Sequence, residues 1–293
     1  MATALFTQHY PRGSAAFKAL VEQDVKCALA EDIGSGDLTA TLIPATNIAH
    51  ASIITREDAV ICGTDWVNAC FHQIDSAIHV KWLVNEGDKV VSNQSLCEIN
   101  GYARAILSAE RCALNFLQLM SAVATQTQQY VTAVSGTKAQ ILDTRKTIPG
   151  LRLAQKYAVT AGGGANQRLA LYDGILIKEN HIAAAGSIHA ALDYAFKKYP
   201  AVSIQIEVEN LDQLKQAFEA GANSVLLDNF NLIQMKEAVH TNLTEYAGRA
   251  ALEASGGIDL NSVHAIALTG VDRISVGGLT KNIRAIDLSL RIK

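Results

Sequence analysis

Short apolar runs alternate with amphipathic helical segments along the second half of this chain, and this alternation limits the fold more than any other feature. Six apolar runs lie at 139–142, 174–177, 203–208, 223–227, 249–252 and 272–276. Helical segments lie between most of them, for example at 187–199, 211–220 and 259–268. Strands and helices that alternate at this spacing predict parallel strands in an α/β layout. The number of units favours an incomplete α/β barrel, with a doubly wound open sheet as the alternative.

The first half of the chain has a different pattern, which predicts a smaller α+β domain. A helix is predicted at 14–31, and one long helix without Gly or Pro, at 108–134, leads out of the domain. Strands are predicted near 48–55, 77–84 and 95–99. The segment Asn85-Glu86-Gly87-Asp88 lies between two of these strands and has the composition of a hairpin turn.

Composition and charge exclude several classes of protein. The chain is 49% apolar with a net charge of −3, so it is neither disordered nor basic like a dedicated nucleic-acid binder. No apolar run approaches the ~18 residues of a transmembrane helix, and the first residues lack the pattern of a signal peptide. The five cysteines form no C-x-x-C pair, which predicts reduced, buried thiols and a cytoplasmic location. We therefore expect neither a membrane nor a nucleic acid as partner.

Polar and charged residues follow each of the six predicted strands. In chain order, these segments begin at Asp143, Lys178, Glu207, Asp228, Glu253 and Ser275. Barrel enzymes place their active sites at the carboxyl ends of the strands, in the loops that lead to the helices. Polarity at six successive strand ends therefore predicts a functional site at one mouth of the barrel.

Residues 138–178 form a basic segment in an otherwise acidic chain. They contain seven Lys and Arg residues and two Asp residues, a net charge of +5, which leaves −8 for the remainder. Such a local charge favours a small polyanionic ligand over a long nucleic acid. Arg145 and Lys146 are candidates to bind such a ligand, because they directly follow a predicted strand. Lys138 and Lys156 instead fit a solvated helix face.

Glycine-rich segments after the last two strands predict a phosphate site. Ser255-Gly256-Gly257 and Ser275-Val276-Gly277-Gly278 expose backbone N–H groups where barrel enzymes often hold a phosphate. Ordinary tight turns are the alternative for both segments.

Two acidic residues, Glu207 and Asp228, lie at the same predicted mouth. Their carboxylates are suited to sugar hydroxyls or to Mg²⁺. The alternative is a pair of ion pairs with Arg145 or Lys178.

Several long motifs point to a known family. They lie at 143–152, 156–159, 162–166 and 176–181, and at 31–39, 110–115 and 274–280. Together they resemble the quinolinate phosphoribosyltransferase family over nearly the whole chain. The resemblance implies an incomplete α/β barrel of the type II phosphoribosyltransferase kind at 116–279. It also implies an N-terminal α+β sandwich domain at 1–115, with residues 280–293 packing back on it.

The same resemblance implies an enzyme of NAD biosynthesis, a decarboxylating pentosyltransferase. Members join quinolinate to the ribose of phosphoribosyl pyrophosphate with Mg²⁺, and release nicotinate mononucleotide, pyrophosphate and CO₂. A homodimer with shared active sites is implied, and assembly into a hexamer is left open. Two alternatives remain: a related phosphoribosyltransferase with another acceptor, such as nicotinate, and a non-catalytic homologue that binds phosphoribosyl ligands.

The resemblance also assigns the acceptor side of the site. Arg145 and Arg168 would grip the carboxylates of quinolinate, and Arg111 would come from the partner subunit. Lys146, Lys178 and Gln167 would lie close to the same ring. Gln167 is a departure, because the family usually has His there, and Ala170 stands where Gly is usual. Glutamine keeps a hydrogen-bond donor but carries no charge, which bears on the affinity for one carboxylate and not on the reaction class.

The sugar-donor side is assigned in the same way. Glu207 and Asp228 would meet the ribose hydroxyls or the Mg²⁺, directly or through water. Ser255, Gly256 and Gly277 would cradle the 5′-phosphate. The candidate catalytic residues are Lys146, Lys178, Glu207 and Asp228.

Overall fold

The structure is a computed structural model that describes residues 5–293. In its first part the helices are α1 (Leu5–His9), α2 (Ala15–Ile33), α3 (Thr64–Ile74) and α4 (Ala103–Ala133), with a 3₁₀ turn at Ala40–Leu42. The strands of this part are β1 (Ile48–Thr55), β2 (Ala59–Val60), β3 (His79–Trp82), β4 (Lys89–Val90) and β5 (Ser95–Tyr102). The predicted domain boundary after residue 115 falls inside α4, and the division into domains stays a prediction.

The second part alternates strands and helices, as its pattern predicts. Its strands are β6 (Gln140–Leu142), β7 (Ile175–Ile177), β8 (Ile204–Val208), β9 (Ser224–Asp228), β10 (Ala251–Ser255), β11 (Arg273–Ser275) and β12 (Leu288–Ile292). Its helices are α5 (Arg152–Ala161), α6 (Glu179–Ala185), α7 (Ile188–Lys198), α8 (Leu211–Glu219), α9 (Leu232–Glu245), α10 (Val263–Ala267) and α11 (Gly278–Lys281).

Six strands of the second part form one parallel sheet in the order β6-β11-β10-β9-β8-β7. Strands β7 to β11 are added in chain order to the same side, and β6 closes against β11. A doubly wound sheet would instead reverse direction near its middle. Within residues 5–293, β6 and β7 do not pair, so the ring of strands stays open between them. The incomplete α/β barrel is confirmed.

The first part contains an antiparallel sheet in the order β12-β1-β5-β3, so β12 crosses back from the end of the barrel segment. A second, two-residue-wide ladder pairs β2 with β4. The hairpin predicted around 85–88 is confirmed in its strand pairing, because β3 and β5, the two predicted strands that flank the turn, pair antiparallel. Gly87 turns there with a positive φ of 86°, and the short strand β4 lies between this turn and β5.

An aromatic cluster joins the two parts of the molecule. The ring of Tyr157 on α5 lies 5.5 Å from Phe6, 5.3 Å from Phe17 and 5.4 Å from Trp66, measured between ring centroids. These three partners belong to α1, α2 and α3, and each is almost fully buried. Aromatic pairs at this separation contribute packing energy beyond the area they bury. The cluster therefore fixes α5, which begins next to the predicted site, against the first domain.

Two smaller observations complete the fold. No helix among the described residues is long and apolar enough to cross a membrane. All five cysteines are free thiols. Four are buried, as predicted, but Cys27 is exposed on α2. Burial raises the pKa of the Cys97 thiol to about 12.

Candidate active site

The parallel sheet brings most of the predicted site residues to one edge. Because all six strands point the same way, their carboxyl ends meet at a single mouth. The residues that arrive there are Arg145 and Lys146 after β6, Lys178 after β7, Glu207 on β8, Asp228 on β9, Ser255 and Gly256 at the end of β10, and Gly277 after β11.

Lys146 and Gly277 contact each other across the neighbouring strands β6 and β11. A Cβ built on Gly277 would lie 3.1 Å from Cδ of Lys146. The Thr280 hydroxyl donates to the carbonyl of Lys146 at 2.8 Å and fixes the backbone there. A side chain at position 277 would therefore press on the lysine. The glycine therefore leaves room for the aliphatic part of the Lys146 side chain.

Glu207 forms an ion pair with Lys178, with 3.2 Å between Oε2 and Nζ. Burial raises the pKa of Glu207, and the nearby Asp228 raises it further, while Lys178 opposes both effects. The ion pair predicted as an alternative function for Glu207 is thus present. His181 supports Lys178, because its Nδ1 accepts from the Lys178 backbone N–H at 3.1 Å at the start of α6.

Asp228 and Ser255 lie side by side at the ends of β9 and β10, where they are partners in register. The next residue, Asn229, donates from its backbone N–H to the carbonyl of Ser255 at 2.9 Å. Its side-chain amide donates to Oδ2 of Asp228 at 2.8 Å. The predicted acid and the predicted phosphate loop are therefore physically connected.

Arg145 and Arg168 have buried donors without a partner. The Nε atoms of both side chains are buried and have no hydrogen-bond acceptor among residues 5–293. Arg168 does donate from Nη1 to the carbonyl of Gly174 at 3.1 Å. Burial lowers the pKa of Arg168, and the charge of Arg145 lowers it further. A buried donor without an acceptor costs free energy, so each of these two donors suits an anionic ligand.

Gln167 belongs to a buried polar network inside the barrel. Its Nε2 donates to Oε1 of Glu253 at 2.8 Å, and Nε2 of Gln205 donates to the other carboxylate oxygen at 2.9 Å. Glu253 is 1% exposed, and both amides donate hydrogen bonds to its carboxylate. Gln167 thus supplies a hydrogen bond to a buried carboxylate.

A cavity of about 240 Å³ lies next to this network. Its wall includes Gln167, Arg168, Gln205 and Glu253, together with residues at the amino ends of the strands such as Arg273. Gln167 and Arg168 therefore line a cavity at the amino ends of the strands, and Arg168 contacts Gly174 just before β7 rather than a residue at the carboxyl-end mouth. The other predicted residues at the mouth do not line it.

A buried ion pair beneath the mouth was missed by the sequence reasoning. Lys156, predicted on a solvated helix face, is fully buried and paired with the equally buried Asp143. Asp143 also accepts from Nδ2 of Asn166 at 2.6 Å and from the backbone N–H of Gln167 at 3.0 Å. The pair therefore holds the segment that carries Arg168. The sequence contains no local signal for this pair, because the burial of the whole run Ala154–Val159 is visible only in the structure.

Arg111 is not brought to the mouth within this chain. It lies exposed on α4, and within residues 5–293 it makes no hydrogen bond or ion pair with the other predicted residues. Its predicted arrival from a partner subunit stays a prediction.

The acidic residues fit a metal that is shared with a substrate. The described residues contain no group of three or more His, Cys, Asp or Glu side chains that could hold a metal ion. Glu207 and Asp228 supply two carboxylates, one of them already paired with Lys178. Mg²⁺ is usually held by one or two carboxylates plus substrate phosphates and water. The pair therefore suits Mg²⁺ that arrives with a phosphorylated ligand.

The comparisons with known proteins agree over most of the chain. Residues 37–121 and 123–291 match the profiles of the quinolinate phosphoribosyl transferase N-terminal and C-terminal domains. A probable nicotinate-nucleotide pyrophosphorylase (carboxylating) of Bacillus subtilis is 39% identical over 263 residues, or 89% of this chain and 90% of the relative. The corresponding protein of Mycobacterium leprae is 40% identical over 270 residues, covering 91% and 95%.

A solved structure is also similar to this chain over most of its length. The nicotinate-nucleotide pyrophosphorylase of Francisella tularensis is 47% identical to this chain and superposes with a TM-score of 0.90. The superposition covers 94% of this chain and 97% of that one. Both the barrel and the first domain are therefore shared with it.

Proposed function

This chain belongs to the quinolinate phosphoribosyltransferase family, and from that membership we propose that the mouth formed by β6 to β11 is its active site. The chain is a pentosyltransferase of NAD biosynthesis. It transfers phosphoribosyl from phosphoribosyl pyrophosphate to quinolinate and yields nicotinate mononucleotide, pyrophosphate and CO₂.

The observation that carries the proposed site is the pair of buried, unpartnered Nε donors on Arg145 and Arg168. Guanidinium groups bind planar carboxylates through paired hydrogen bonds. Two guanidinium groups, each with a buried Nε donor that has no partner among residues 5–293, are suited to the two adjacent carboxylates of quinolinate. Nicotinate has one carboxylate and would leave one arginine without a partner. The geometry therefore favours the dicarboxylate acceptor.

The sugar donor lies on the other side of the mouth in this proposal. Asp228 and Glu207 accept from the ribose hydroxyls, and the backbone around Ser255, Gly256 and Gly277 holds the 5′-phosphate. Lys146 contacts Gly277 and supplies positive charge to the phosphates. This arrangement is supported by the register of β9 and β10, which sets Asp228 beside Ser255.

The chemistry follows from charge and orientation. Pyrophosphate leaves the ribose carbon, positive charge develops there, and the pyridine nitrogen attacks. Glu207 and Asp228 stabilise that charge because their carboxylates are held in place before the reaction. Glu207 and Asp228 would also hold Mg²⁺, which would supply positive charge beside the pyrophosphate. The quaternised ring then accepts the electron pair of the breaking carbon–carboxylate bond, CO₂ leaves, and solvent supplies a proton to the ring carbon.

We also propose a homodimer in a cytoplasmic setting, with Arg111 of each subunit reaching the mouth of the other. The exposed position of Arg111 on α4 supports this, because no mouth residue within 5–293 pairs with it.

The test is an assay of purified protein with quinolinate, phosphoribosyl pyrophosphate and Mg²⁺, scored for nicotinate mononucleotide. We expect product that is abolished by a chelator and restored by added Mg²⁺. Product from nicotinate but not from quinolinate would establish the alternative acceptor. Binding of both substrates without turnover would establish the non-catalytic alternative.

A further inference from the structure

Asn229 adopts a backbone conformation that few residues adopt. Its φ is +56°, and within residues 5–293 the other non-glycine residues with a positive φ are Asn93 and Ala247. Asparagine tolerates this region better than most residues, but the conformation still carries a cost. Residues held this way are found most often at functional sites. Asn229 is exposed, so core packing does not impose the conformation.

The conformation lets one residue contact two parts of the site. The backbone N–H extends the β9–β10 ladder by bonding to Ser255, while the side chain turns back and bonds to Oδ2 of Asp228. The same side chain lies against the loop, because a Cβ on Gly256 would come within 2.1 Å of its Oδ1. The position of Asn229 therefore depends on Asp228 and on the Ser255-Gly256 loop together.

We propose that Asn229 is a positioning residue for the sugar donor. The inference rests on the proposed function, in which Asp228 meets the ribose hydroxyls and the loop holds the 5′-phosphate. In the donor, the ribose hydroxyls and the 5′-phosphate are separated by a fixed covalent distance. In the protein, Asn229 sets the matching distance between Asp228 and the Ser255-Gly256 loop. Its amide also occupies Oδ2 of Asp228 and leaves Oδ1 to face the ligand.

The substitution Asn229→Gly tests this directly, because glycine keeps the backbone conformation without cost and removes the amide. We expect the KM for phosphoribosyl pyrophosphate to rise about tenfold, as fits the loss of one hydrogen bond to a charged group. The KM for quinolinate should stay within about twofold of the wild-type value. Asn229→Asp keeps the size and the turn but removes the donor, and should show the same selective rise.

The matched control is Asn93→Gly, the same substitution in the same backbone conformation on an exposed turn of the first domain. It should change neither KM. Equal changes in both KM values, or no change in either, for Asn229→Gly in an active enzyme would overturn the positioning role. If the wild-type protein forms no nicotinate mononucleotide, the proposed function itself fails, and this inference fails with it.

Discussion

The buried ion pair between Lys156 and Asp143 provides the sharpest test of the physical argument. The change is Lys156→Met, which keeps an unbranched side chain one atom shorter and removes its charge. Both partners are 0% exposed, so the substitution leaves an uncompensated carboxylate in the interior. Breaking a buried pair in this way costs about 3–5 kcal/mol. With an unfolding entropy of roughly 2.1 cal/mol/K per residue over 293 residues, that cost lowers Tm by about 5–8 °C.

Two comparison variants isolate the cause. Lys138→Met removes an ion pair of 2.7 Å with Asp272, in which the lysine side chain is 55% exposed, and should lower Tm by at most 1–2 °C, as expected for ~1 kcal/mol or less. The double variant Lys156→Met with Asp143→Asn leaves no buried charge and should be more stable than Lys156→Met alone. Thermal unfolding at one protein concentration measures all three. A Tm for Lys156→Met equal to that of Lys138→Met would refute the reasoning, and so would a double variant less stable than the single one.

Three further predictions concern activity. Arg168→Lys should raise the KM for quinolinate by roughly 10- to 100-fold in steady-state assays, since an ammonium cannot replace paired guanidinium donors; an unchanged KM would remove Arg168 from the acceptor site. Because burial raises the pKa of Glu207, its carboxylate protonates and activity falls as the pH drops through a value above the ordinary 4.5; an acidic limb of kcat/KM at or below 4.5 would contradict this. Gln167→His should preserve or raise kcat/KM for quinolinate, because an imidazole N–H can replace the amide that donates to Glu253 at 2.8 Å; a clear loss would show that glutamine is required here.

The strands of the barrel could be predicted because each apolar run ends in polar residues. The run at 203–208 became Ile204–Val208, and the run at 223–227 became Ser224–Asp228. The two-residue strands Ala59–Val60 and Lys89–Val90 are too short to leave a periodic signal. Their pairing depends on the tertiary fold, which is why the sequence did not show that β4 would follow the turn at 85–88 and pair with β2.

The charged residues at the strand ends could be predicted in position but not in pairing. Glu207 was expected at the mouth, yet the sequence left open whether it would meet a ligand or Lys178. The burial of Lys156 and Glu253 could not be predicted, because a charge is buried only when partners distant in the sequence come to it. Asp143 lies 13 residues from Lys156, and Gln167 lies 86 residues from Glu253. Helical periodicity contains no information on such contacts.

The pairing of β12 with β1 has a consequence for how the protein is made. Ser52 lies opposite Arg291 in this ladder, so nearly all of the barrel is translated between the two strands. The sheet of the first domain therefore lacks one of its edge strands until the barrel segment has left the ribosome. Closing so long a loop is slow compared with local folding. During that interval β1 exposes an unpaired edge, and nascent chains stalled before residue 288 should be the species most in need of a chaperone.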